Sequence, residues 1–301
     1  MTAASAKMNL DRITGAGSIL LGVGIAVSAV LGPLGFEVIW FRTSEHLTNQ
    51  FVGGEIVSLA VVAPMAAAAG VLWLHGHRLA PAIAMAPTLY AVYTYLSVVL
   101  GQEYARYDGN VERYFPLYAG LVAGGLAVAA AAWSRLGRVG LPVLPDRLRR
   151  ALAGVLLATG GLITLAWAQQ IRSVVTGDLS ADYLESPTLF WVIKILDFGF
   201  VIPLAIATGA GLLRQQPAAI KAAYGLIGFL TCLAGSVTGM AVAMEIKDDP
   251  SSQPVVLAVL LPVTAGLAAL WVGLLRSRLQ GSDASLDRGL AETRARLVGA
   301  A

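Results

Sequence analysis

The sequence predicts an all-α, polytopic membrane protein of about eight transmembrane helices, and three observations lead there. Of the 301 residues, 57% are hydrophobic and only 13% charged, where a soluble domain carries roughly a quarter charged residues. The apolar residues gather into eight runs of spanning length. The segments between those runs alternate in charge. A backbone inside hydrocarbon must satisfy its own hydrogen bonds, so runs of this length become helices.

The runs lie at about 13–34, 52–74, 79–101, 115–134, 151–168, 188–213, 222–244 and 254–275, the fifth being short. Lys7 and Arg12 precede the first run, and Val27-Ser28-Ala29 has the small-residue pattern of a signal-peptidase site. The run from Ile13 to Leu34 is too long for the apolar core of a signal peptide, so it is expected to remain as span one.

Loop charge sets the expected orientation. The N-terminal segment (Lys7, Arg12), the second loop (His75, His77, Arg78), the fourth (Arg135, Arg138, Arg147, Arg149, Arg150) and the sixth (Arg214, Lys221) are basic. So is the tail, which begins with Arg276 and Arg278. The odd loops are acidic or mixed: Glu37, Arg42 and Glu45; Glu103, Arg106, Asp108, Glu112 and Arg113; Arg172, Asp178, Asp182 and Glu185; Glu245, Lys247, Asp248 and Asp249. The positive-inside rule places the termini and even loops in the cytoplasm. The net charge of +3 is thus a membrane-topology signal, and no nucleic-acid partner is expected. The excess of arginine over lysine, with abundant alanine and valine, points to a GC-rich bacterial source and so to an inner membrane. The lone Cys232 excludes an internal disulfide.

Three collinear similarities predict an internal duplication. Ala16-Gly17-Ser18-Ile19-Leu20 resembles Ala153-Gly154-Val155-Leu156-Leu157. Val62-Ala63-Pro64-Met65-Ala66 resembles Val201-Ile202-Pro203-Leu204-Ala205, with Gly70 matching Gly209. Phe115-Pro116-Leu117-Tyr118-Ala119-Gly120-Leu121 resembles Leu261-Pro262-Val263-Thr264-Ala265-Gly266-Leu267. The offset grows from 137 to 139 to 146, as loop insertions would make it. Residues 1–140 and 141–278 are then two four-helix repeats of the same orientation, related by a pseudo-twofold axis along the membrane normal. Residues 279–301 form a tail in which Leu286, Leu290 and Leu297 suit a short amphipathic helix, with a disordered tail as the alternative.

Charges inside spans are costly and single out functional candidates. Lys194 and Asp197 lie in span six, roughly 10 and 15 Å from its outer end at about 1.5 Å per residue. Three residues apart, they share a helical face. The repeat aligns Glu55 with Lys194 and Ser58 with Asp197. Lys194 and Asp197 can then pair with each other, or, if that face lines the twofold axis, Glu55 and Lys194 form a cross-repeat ion pair, with a polar core at the interface of spans two and six. Its functional reading is a proton or cation site; its structural reading is an ion pair fixing the packing of the halves. Pro64 and Pro203 are kink candidates within those spans.

The odd loops are aromatic as well as acidic. Glu37, Trp40, Glu45, Tyr107, Asp108, Asp182 and Glu245 are candidates for an outward vestibule suited to a cationic or polar solute or to a membrane partner protein. Interfacial aromatic belts have the same composition. His75 and His77 flank a basic turn, which suits topology rather than haem ligation. No cofactor, metal or catalytic motif is visible. The function expected is a small-solute or ion transporter. An accessory or assembly subunit is the alternative, and a membrane-embedded enzyme, lacking any visible catalytic set, comes third.

Overall fold

The computed structural model describes residues 3–137, 144–249, 252 and 254–298. Among them, eight helices are long and apolar enough to cross a membrane: Met8–Leu31, Glu45–Leu74, Ala80–Leu100, Val111–Leu136, Asp146–Thr176, Pro187–Leu213, Pro217–Ile246 and Pro254–Leu279. They are called spans one to eight below. The chain is built as a multi-pass membrane protein.

Several helix ends differ from the hydropathy boundaries, for local reasons. Span one stops at Leu31 because Pro33 disfavours helical geometry at the residue before it. Span two begins at Glu45, where the Ser44 side chain accepts from the Leu47 amide and caps the first turn. Span five covers 31 residues, well beyond the expected 151–168. Arg147, Arg149 and Arg150 at one end, and Gln169, Gln170 and Arg172 at the other, lower hydropathy without breaking a helix. At about 1.5 Å per residue this helix outreaches a hydrocarbon layer of about 30 Å, so its polar ends project. It closes on Gly177, whose φ of 83° is the left-handed C-cap that glycine adopts without strain. Span eight continues as one unbroken backbone helix, Pro254–Val298, through the predicted tail. The side chains from Gln280 onward, including the expected leucine face, lie outside the described residues.

Spans three and seven pack against each other at the centre. Spans one to four form a closed bundle: one lies on two, two on three, three on four, and four on one. Five packs on six, six on seven, seven on eight, and eight, more sparsely, on five. Two further pairings, two on seven and six on three, join the halves.

Spans two and six each change partner partway along. In span two, Glu45–Val57 lies against span seven, a π-helical turn follows at Ser58–Val62, and Ala63–Leu74 then lies against span one. In span six, Pro187–Leu196 contacts span three, the π turn is Asp197–Val201, and Ile202–Leu213 lies against span five. The backbone N–H of Ala63 reaches Ser58 O, and that of Ile202 reaches Asp197 O, each five residues back. Pro64 and Pro203 follow in the first turn of the next α-helical stretch. Proline has no N–H, and its ring crowds the carbonyl four residues back. The wider π turn accommodates both at the places where the sequence predicts kinks.

Spans two and seven approach on glycine. A Cβ on Gly53 would run into the backbone of Gly239 and Met240, and one on Gly239 would sit 2.6 Å from Gly53 O. Small residues allow such backbone contact in lipid, where packing rather than hydrophobicity holds helices together.

Candidate functional site

Asp197 is the first residue of the span-six π turn and is only 4% exposed. Its Oδ1 accepts from the Tyr93 hydroxyl of span three at 2.9 Å. Its Oδ2 accepts from the Trp167 indole N–H of span five at 2.6 Å. Lys194, 5% exposed, lies one turn earlier on the same helix. Its ammonium donates to Gln170 Oε1 at 2.8 Å and sits 4.0 Å from the Trp167 ring centre and 3.7 Å from that of Phe190. A cation over aromatic faces is stabilised by their quadrupoles, more strongly when desolvated. Both charges are thus held by spans three, five and six together. Gln170 is exposed, so one edge of this cluster reaches the protein surface.

The corresponding turn of span two is neutral. Ser58 Oγ donates to Gly54 O at 2.9 Å and lies 2.9 Å from the Tyr90 hydroxyl, which in turn donates to Ser236 Oγ of span seven at 3.0 Å. Tyr90 and Tyr93, three residues apart on span three, therefore address the two π turns separately.

The expected Glu55–Lys194 ion pair does not form. Glu55 Oε2 accepts from the Leu34 amide at 2.9 Å, closing the turn after span one, while Lys194 faces Gln170 and two aromatic rings. Spans two and six do not form a packed pair; spans three and seven occupy the centre between the halves. The physical reason is that the two side chains sit on helices that do not pack together, so their correspondence in sequence does not bring them into contact.

The acidic-face loops tie to one another. Arg42 reaches Glu112 at 2.6 Å and the Tyr107 carbonyl at 3.0 Å, and the hydrogen bond that it donates to Glu112 raises its already high pKa. The Tyr107 hydroxyl donates to Glu185 O at 3.2 Å, and Arg106 donates to Leu184 O. Glu103 accepts from the Thr188 amide at 2.6 Å and the Thr188 hydroxyl at 2.9 Å, capping the start of span six. At the seventh loop, Asp249 accepts from Asn49 at 3.1 Å and lies 3.0 Å from His46 Nδ1. Of the vestibule candidates, Glu37, Trp40, Glu45, Asp108 and Glu245 are exposed and Tyr107 is half-buried. The Asp182 side chain lies outside the described residues. Among the described residues, no three of His, Cys, Asp and Glu converge as metal ligands would.

Glu103→Ala removes a cap supplied from across the chain. It is expected to lower stability by about 1–2 kcal/mol, read as a lower unfolding temperature in detergent, with Glu103→Gln recovering part of the loss.

Sequence reasoning missed Tyr93, Trp167 and Gln170. The available signal was polar tips on residues in or near apolar runs, since buried tyrosine and tryptophan seek hydrogen-bond partners. No family model, curated protein or solved structure matches the chain.

Proposed function

We propose that the chain is a carrier for a small polar or cationic solute or ion, with its switch at Asp197. The observation that carries this reading is a carboxylate at the head of a π turn, bound by groups from two other spans and placed beside a buried lysine. π turns gather at functional sites, and intramembrane ionisable groups mark ion and proton paths. A proton or cation reaching Asp197 weakens its hold on Tyr93 and Trp167. The joint between the two parts of span six is then free to shift. Gln170 and Lys194 provide the polar edge through which a solute meets the carboxylate.

In this reading the halves are duplicated four-helix repeats, residues 1–140 and 141–278, with the pseudo-twofold axis between spans three and seven. Supporting it, the π turns begin 139 residues apart, each is followed by a proline, and packing within the halves runs in parallel. Tyr93 and Ser236, the hydroxyls that central spans offer to the opposite half, are 143 residues apart, between the offsets of the flanking matches. The protein then resides in a bacterial inner membrane with both termini in the cytoplasm.

Proteoliposomes containing a trapped pH-sensitive dye test the carrier reading. Addition of sodium, potassium or tetramethylammonium outside is expected to move protons faster than in empty vesicles for at least one cation. Identical traces with and without protein sink it.

A second reading, an accessory subunit, rests on the laced acidic face, which exposes Phe36 at 74% and Trp40 at 59%. It predicts a co-purifying membrane partner that Trp40→Ala releases.

A further inference from the structure

Without an ion pair to Lys194, Glu55 is a carboxyl inside a spanning helix with no counter-ion. It lies ten residues after Glu45, roughly 15 Å from the acidic-face end of span two, and is half-buried. Among the described residues its hydrogen bond is the one from the Leu34 amide at 2.9 Å, and it pairs with no lysine, arginine or histidine.

The surroundings are neutral or adverse to negative charge. The end of span one sits against the carboxyl: a Cβ on Gly32 would collide with Glu55 Oε1 and stand 3.0 Å from Oε2. The C-terminal end of a helix carries partial negative charge, which opposes a second negative group there. Glu37, the charged residue of the turn that follows, is acidic and exposed. Tyr95 of span three and Tyr118 of span four also face Glu55, each beside Ser28 of span one. Both tyrosines are buried, with ring centres 5.6 Å apart. A phenol offers a hydroxyl but no positive charge. Span seven meets the neighbouring Gly53 and Gly54 with Gly239, Met240 and Ser236, none of them charged. Ionisable groups kept inside the membrane mark ion and proton paths, and a desolvated carboxyl without a counter-ion favours its neutral form.

We infer that Glu55 is a proton-binding site, loaded from the acidic face and held as a neutral acid between spans one and two. The protonated group keeps one oxygen for the Leu34 amide. The anion grips that amide more strongly, because a charged acceptor makes the stronger hydrogen bond. Proton occupancy thus sets how firmly the turn after span one is tied to span two. A metal ion is a poorer fit, since it needs several oxygen ligands and no three acidic, histidine or cysteine side chains converge among the described residues. The inference does not rest on the carrier reading, and its test needs no transport.

The full-length protein in neutral detergent is treated with dicyclohexylcarbodiimide, which enters apolar sites and attacks protonated carboxyls. The acid proton passes to one carbodiimide nitrogen as the carboxyl oxygen bonds the central carbon. The acyl group then migrates to nitrogen, leaving a stable N-acylurea that tandem mass spectrometry maps. An ordinary glutamate, with a pKa of about 4.3, is almost wholly ionised at about pH 7, so the exposed Glu45 is a control in the same chain. An adduct is expected on Glu55 and not on Glu45 at about pH 7, falling several-fold by about pH 10. Glu55→Gln is expected to remove it. Should that variant fail to fold, the mapped adduct on the unaltered chain and its loss at alkaline pH decide the matter. No adduct on Glu55, or equal yield at both pH values, overturns the inference. So does protection by sodium or calcium at constant pH, which assigns the carboxyl to a metal ion instead.

Discussion

Asp197→Asn is expected to reduce cation-driven proton movement in proteoliposomes to the level of empty vesicles while the protein stays folded and monodisperse. The two donors at the carboxylate explain why the fold survives. Trp167 N–H can only donate, so the asparagine carbonyl faces it; the Tyr93 hydroxyl can rotate to accept from the new amide. What disappears is the charge beside Lys194. Asp197→Ala is the contrasting variant. It strips partners from Trp167 and Tyr93 and removes the carboxylate one turn from Lys194, and removing one member of a buried charged set costs about 3–5 kcal/mol. Loss of flux in both variants, with loss of stability only in the alanine, supports a switch. Full flux in a folded asparagine variant shows that the carboxylate is architectural.

The second large effect is steric. Gly53→Leu places a side chain where the Gly239 backbone already stands, and Gly239→Leu does the converse. The obstacle is main chain, which cannot rotate aside as a side chain does. Overpacking typically costs about 1–3 kcal/mol, and this contact is expected at or above the upper end. The readout is a drop in unfolding temperature and in monodisperse yield. As a control, a Cβ at the exposed Gly120 of span four meets nothing within 4 Å, and Gly120→Leu is expected to be silent. Equal stability for Gly53→Leu and Gly120→Leu would refute the tight crossing of spans two and seven.

The spans were legible because hydropathy and loop charge are properties of single segments. Their ends were less so: span five keeps its helix through Gln169 and Gln170, which hydropathy reads as a stop. Lys194 and Asp197 stood out as charges in an apolar run. Their partners did not, because Tyr93 and Trp167 are ordinary membrane residues until the packing of spans three, five and six brings them within 3 Å of the carboxylate. The Glu55–Lys194 pairing failed because alignment reports equivalence and not proximity. The π turns have no residue signature, and only Pro64 and Pro203 marked where they fall.

The partner change in spans two and six has a geometric meaning. Each residue of an α-helix advances about 100° around the axis, so the extra residue accommodated in a π turn shifts the phase of everything beyond it. In span two that shift aims the stretch before Ser58 at span seven and the stretch after Val62 at span one. Deleting one residue within either turn would restore an unbroken helical phase and point one stretch into lipid. Each helix thus belongs to two bundles at once, joined through Ser58–Val62 in one and Asp197–Val201 in the other.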